Sequence, residues 1–221
     1  MSAGTTLKAP PRRLVLPLGL ATLALLLWDT FAVYPFRLFV VFLHEISHGL
    51  AAVLTGGEVV SIGLGFDEGG VCLTRGGWPF LILNAGYLGS LLWGALFLLL
   101  GTRRSRGRAV IGLVGLFTLA VTLAYVRTWF GFLYGVAAGF LLIAVASKLK
   151  AAVSEFLLAA IGATSCLYAV WDIATDVLFR HSGLSDAAAL ARLSGLPAVV
   201  WGVAWIAFSL AVLASVLKRL A

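Results

Sequence analysis

An all-α polytopic membrane protein, with about seven transmembrane helices and one small β-hairpin insert, is the fold class predicted by this chain of 221 residues. Three observations predict it. Hydrophobic residues make up 62% of the chain and charged ones 11%, where soluble domains run at about 45–50% and about 25%; the mean hydropathy is +1.07. Apolar runs of about 20 residues, the length that crosses roughly 30 Å of hydrocarbon, recur from end to end. One glycine-rich stretch at 56–78 interrupts them.

Seven runs read as candidate spans: roughly 14–34, 36–55, 80–100, 109–126, 129–147, 154–178 and 197–217. The first follows Lys8, Arg12 and Arg13 and carries Asp29 near its end. It is long enough to span, so a cleavable signal peptide is not expected. Pro35 breaks it from the second run. After the second, Thr55-Gly56-Gly57 stops the helix. Val59–Phe66 and Gly70–Thr74 then read as two strands around Asp67-Glu68-Gly69, a hairpin-type turn, before Trp78-Pro79 reopens helix. A hairpin cannot leave open edges in lipid, so this one lies at the interface or lines a protein cavity. It serves either as a connector or as an edge strand for an extended peptide. Between the sixth and seventh runs, 179–196 reads as a short extramembrane helix with an N-cap pattern at Ser182 to Ala187. The whole is one membrane-embedded domain, 1–221, with 1–13 a basic cytoplasmic tail and 56–79 a membrane-associated hairpin.

The net charge of +7 does not indicate nucleic acid. Its lysines and arginines sit at run ends, as in Arg103-Arg104-Ser105-Arg106 and Lys218-Arg219, which suits anchoring to anionic headgroups. With the N-terminus inside, seven of the sixteen Lys and Arg fall inside and nine outside, so the positive-inside rule does not decide the orientation. Cys72 and Cys166 form neither a CxxC pair nor a disulfide framework.

His44-Glu45-Ile46-Ser47-His48 lies inside the second apolar run. On a helix this spacing sets two imidazoles at i and i+4 on one face, able to share a zinc ion, with Glu45 between them as a general base. Ionisable groups at bilayer depth are expensive and mark function. Catalytic zinc needs a third protein ligand. Asp172 and Asp176, four apart in the sixth run with no Lys or Arg within four residues, are the main candidates. A hydrogen-bonded polar core is the alternative for that pair. His181, beside Arg180, reads as an interfacial residue, and Asp29, Glu58, Asp67 and Glu68 lie near loops or span ends.

Three motifs resemble the site-2 protease family of intramembrane zinc metallopeptidases, in a compact form without soluble inserts. They are Phe42 to Gly49 with the glycine-rich hairpin after it, Asn84-Ala85-Gly86-Tyr87-Leu88-Gly89-Ser90, and Trp171-Asp172-Ile173. Tyr87 stands where that family usually has proline, Ser90 where it has asparagine, and no glycine follows Asp172. The resemblance implies a zinc-dependent membrane metalloendopeptidase, with His44, His48 and Asp172 holding Zn2+ and Asp176 as alternative ligand or support. It further implies that Glu45 activates a zinc-bound water. Asn84 then serves as a donor to the oxyanion or substrate backbone, or as part of a small-residue packing stripe with Gly86, Gly89, Ser90 and Gly94. Implied partners are the lipid bilayer and single-span membrane protein substrates with weakened helices. A bacterial plasma membrane is the expected location. The competing readings are a metal transporter and a catalytically idle membrane scaffold. No second copy of the histidine segment supports a transporter's repeat.

Overall fold

The computed structural model describes residues 12–102, 106–178 and 185–221; most of the basic tail, and His181, lie outside the described residues. Eight helices and one two-stranded sheet follow in the order α1 (Arg12–Leu26), α2 (Tyr34–Leu54), β1 (Glu58–Leu64), β2 (Gly70–Arg75), α3 (Pro79–Gly101), α4 (Gly107–Tyr125), α5 (Trp129–Lys148), α6 (Ala151–Leu178), α7 (Asp186–Ser194) and α8 (Ala198–Leu220). Six of them, α2 to α6 and α8, are long and apolar enough to cross a membrane. The protein is a multi-pass integral membrane protein, as its composition predicts.

The first predicted span is shorter than expected. Pro17 lies inside α1, and the helix stops at Leu26 after 15 residues, about 22 Å of rise. Residues 27–33 form successive turns, with Thr30 N–H donating to Leu27 O and Val33 N–H to Thr30 O. Asp29 and Thr30 favour such turns over helix, and apolarity alone does not carry the helix through them.

The two most enclosed long helices are α2 and α6, whose apolar windows are 67% and 61% buried against 22% for α8; they are the centre of the bundle. Small residues let α3 reach α6: a Cβ added to Gly94 would lie 2.9 Å from Cys166 N, and one on Gly162 would lie 2.6 Å from Leu98 N. Backbones this close gain dispersion in lipid, where no hydrophobic effect drives helices together. Ser165 adds a hydrogen bond across the same seam, its Oγ donating to Ser90 O at 2.7 Å.

One face of the hairpin is exposed, at Val60, Val71 and Leu73. The hairpin folds back along α2 toward that helix's beginning. Near its base, a Cβ on Gly49 would lie 2.8 Å from Val59 Cγ2. At its tip, Tyr34 in the first turn of α2 donates its hydroxyl to Phe66 O at 2.7 Å. Arg37 pairs with Glu68 at 2.9 Å, which holds Glu68 in the left-handed region at φ 61°. The neck is closed by Thr55, whose Oγ1 donates to Ala51 O and accepts from Trp78 N–H. The strands pair antiparallel from Glu58 opposite Arg75 to Leu64 opposite Gly70.

The outer edge of β1 is sealed by the α4–α5 connection. Arg127 N–H donates to Ile62 O, and Leu64 N–H donates to Thr128 Oγ1. Among the described residues, β2 has β1 as its only strand neighbour. From Glu68 to Thr74 the hairpin lines one wall of a cavity.

Candidate metal centre

Residues 34–54 form one uninterrupted helix because Pro35 sits in its first turn, where its missing N–H costs nothing, and no further proline follows; Gly49 within it is where Val59 packs close. The i, i+4 spacing therefore brings His44 and His48 side by side, their ring centroids 4.7 Å apart. Both Nε2 atoms lie 3.0 Å from the same oxygen, Oδ2 of Asp186. Among the described residues, these three form the one group of His, Cys, Asp or Glu whose donor atoms all lie within 4.8 Å of one another. Asp186 is the first residue of α7. Ser185 caps that helix by accepting from Ala188 N–H at 3.3 Å, and Gly195 ends it in the left-handed conformation.

Nothing in the local sequence singles out Asp186. At the first position of a short capped helix, an aspartate has an ordinary explanation in the helix dipole. The acid predicted as third ligand, Asp172, lies on the wall of the same cavity as the histidines but outside the three-residue group. Asp176, buried at 7% exposure, accepts the hydroxyl of Tyr87. Asn84 is engaged elsewhere: its Nδ2 donates to Phe80 O at 2.8 Å and its Oδ1 accepts from Trp205 Nε1 at 2.7 Å, tying α3 to α8. It lines an apolar crevice between α2 and α3.

The cavity holds about 390 Å³ and is walled by α2, α3, α6, the start of α7 and the hairpin from Glu68 to Thr74. Glu45, 5% exposed, opens onto it beside the histidines. The backbone of β2 passes this carboxylate at Gly70, where an added Cβ would lie 2.9 Å from Glu45 Cδ and 2.8 Å from Val41 Cγ1. A side chain there would close the gap between strand and base.

The donor chemistry fits a cation. The carbonyl of Ile82 can only accept, so the 2.7 Å contact to His48 Nδ1 assigns that nitrogen the proton. In the neutral ring Nε2 is then a lone pair facing a carboxylate oxygen at 3.0 Å. Two acceptors so close require positive charge between them. Tetrahedral zinc ligands at about 2.0–2.2 Å sit roughly 3.3 Å from one another, near the separations found. Burial raises the Asp186 carboxyl, but protonated imidazoles at His48 and His44 outweigh it and hold the group well below the usual carboxylate range; a cation in place of those protons would act in the same sense.

Gly86 on α3 completes the cradle. A Cβ there would lie 2.6 Å from His48 Nε2 and would also press on His44 Nε2. For a zinc ion held by these three donors, Gly86→Ala is expected to lower metal content about 10-fold or more. Elemental analysis of the purified variant checks this, and a Gly112→Ala control, whose Cβ would meet only Ala146 at 3.4 Å, should match the wild type.

The family model described as Peptidase M50B-like matches residues 18–216. No curated protein and no solved structure matches the chain significantly.

Proposed function

We infer, since this chain belongs to the Peptidase M50B-like family, that it is a zinc-dependent endopeptidase cutting single-span membrane proteins beside or within the bilayer, in a bacterial plasma membrane. The membrane-peptidase class follows from the family. The metal, the residue roles and the substrate are our reading. One observation carries it: two imidazoles and one carboxylate converge on a point next to a buried glutamate, in a cavity walled by an open strand edge.

In this reading His44, His48 and Asp186 hold the ion, and His48 is oriented by the Ile82 carbonyl. A zinc ion bound there supplies Lewis acidity toward water and the scissile carbonyl. Glu45 takes the proton of the attacking water on its carboxylate and returns it to the leaving amine. The strand β2 pairs with substrate backbone unwound into extended form, giving main-chain partners to groups that the broken helix no longer satisfies. Gly70 keeps that backbone within reach of Glu45. The roles proposed from sequence for Asp172 and Asn84 pass to Asp186 and, for substrate alignment, to β2.

The test uses the full chain purified in detergent. About one zinc per chain, and cleavage of a single-span reporter with a glycine-weakened helix, are expected. A chelator should abolish cleavage and added zinc should restore it. Protein without zinc after supplementation, or cleavage indifferent to the chelator, overturns the reading.

A further inference from the structure

The two histidines of the site are held differently. His48 has a carbonyl partner on Nδ1, the usual way in which a metal-binding imidazole is oriented. His44 has none: among the described residues its one hydrogen-bonding contact is Asp186. Its other neighbour is an aromatic wall. The Tyr87 ring stands edge-on to the His44 imidazole, with centroids 4.9 Å apart and planes at 86°.

Tyr87 is itself fixed on three sides. At 2% exposure it is among the most enclosed large side chains of the protein. Its hydroxyl is donated to Asp176 on α6. Its ring packs on Trp205 of α8 at 4.8 Å, and Trp205 is tied through Nε1 to Asn84, one turn before Tyr87 on α3. Tyr87 also belongs to the apolar cluster that includes Ala187 and Leu190, by which α7 docks. One side chain thus touches the imidazole of α2 and the floor under the helix that bears Asp186.

We propose that Tyr87 is a positioning residue for the metal centre: its ring sets the orientation of His44 and the seat of α7, and its hydroxyl bond to Asp176 locks the ring in place. The inference rests on the metal reading above. It gives Asp176, a ligand candidate from sequence, a role one step removed from the ion. The hydroxyl has a single proton, already donated to Asp176, so Tyr87 is not assigned to the substrate. Losing groups that orient a metal's ligands typically costs about 10–100-fold in metal affinity.

Cobalt(II) titration of the detergent-solubilised full chain tests this, reading both the dissociation constant and the visible d–d bands. Tyr87→Leu removes the ring and is expected to weaken cobalt binding about 10–100-fold with shifted bands. Tyr87→Phe keeps the ring and loses only the bond to Asp176. It and Asp176→Leu, which removes the acceptor at similar volume, should each give a smaller loss, and the double variant less than their sum. These two shape-conserving variants keep the proposal testable if Tyr87→Leu fails to fold. Unchanged affinity and bands in Tyr87→Leu, bands unchanged in every variant despite lower thermal stability, or additive losses for the Tyr87→Phe and Asp176→Leu pair would overturn it. Wild-type protein that binds no cobalt overturns the metal reading itself, and this inference with it.

Discussion

Asp186→Ala is expected to purify without zinc, while Asp172→Ala retains about one zinc per chain. Three protein ligands share the binding energy in the proposed centre. Structural zinc sites with four ligands bind with about 10–16 kcal/mol, so one ligand is worth about 2.5–4 kcal/mol, roughly 70- to 900-fold in affinity. Asp186 offers one oxygen 3.0 Å from both imidazole nitrogens. Asp172 stands on the cavity wall outside the donor group. Zinc content of the two alanine variants, measured side by side, decides the third ligand. Retention by Asp186→Ala with loss in Asp172→Ala would reverse the assignment and restore the ligand expected from sequence. The reporter assay should follow the metal, falling to background in Asp186→Ala.

Glu45→Gln is expected to keep its zinc and lose activity by about 10²–10⁴-fold, the usual contribution of a positioned general base. Glutamine has the shape of glutamate and cannot take a proton from water at neutral pH. Glu45 is not among the three converging donors, so the variant should load metal normally. The same variant separates the classes of function open to the sequence. A metal transporter or an idle scaffold would tolerate it, because neither needs a base between its histidines. Full cleavage by Glu45→Gln would show that some other group deprotonates the water.

Three of the four residues of the proposed site are legible in the sequence for a simple reason. His44, Glu45 and His48 lie on one helix, so their mutual geometry is fixed by 3.6 residues per turn and nothing more. Asp186 is more than a hundred residues away, and its approach depends on how α7 packs through Ala187 and Leu190 against Tyr87 and Trp205. No local pattern encodes that. Asp172 and Asp176 drew attention because charges in an apolar run look functional, and both do face the cavity. Which of several acids reaches the histidines is a question of helix rotation, and sequence spacing does not answer it. The hairpin strands were readable from alternation and turn residues. Their direction was not, because it is set by contacts such as Tyr34 with Phe66, 32 positions apart. The overlong first span shows the same limit from the other side: hydropathy counts Leu27 and Val33 as membrane residues, although the backbone there is in turns.

The unequal edges of the hairpin bear on turnover. With β1 closed by Arg127 and Thr128, the sheet can lengthen on one side only, by one strand. Under the proposed reading, an intact substrate making about four main-chain hydrogen bonds to β2 gains roughly 1 kcal/mol from each. Scission divides that ladder between two fragments, so each product holds on with about half the bonds, some 30-fold more loosely. The cut itself thus triggers departure, and the vacated edge is ready for the next chain without the hairpin having to move.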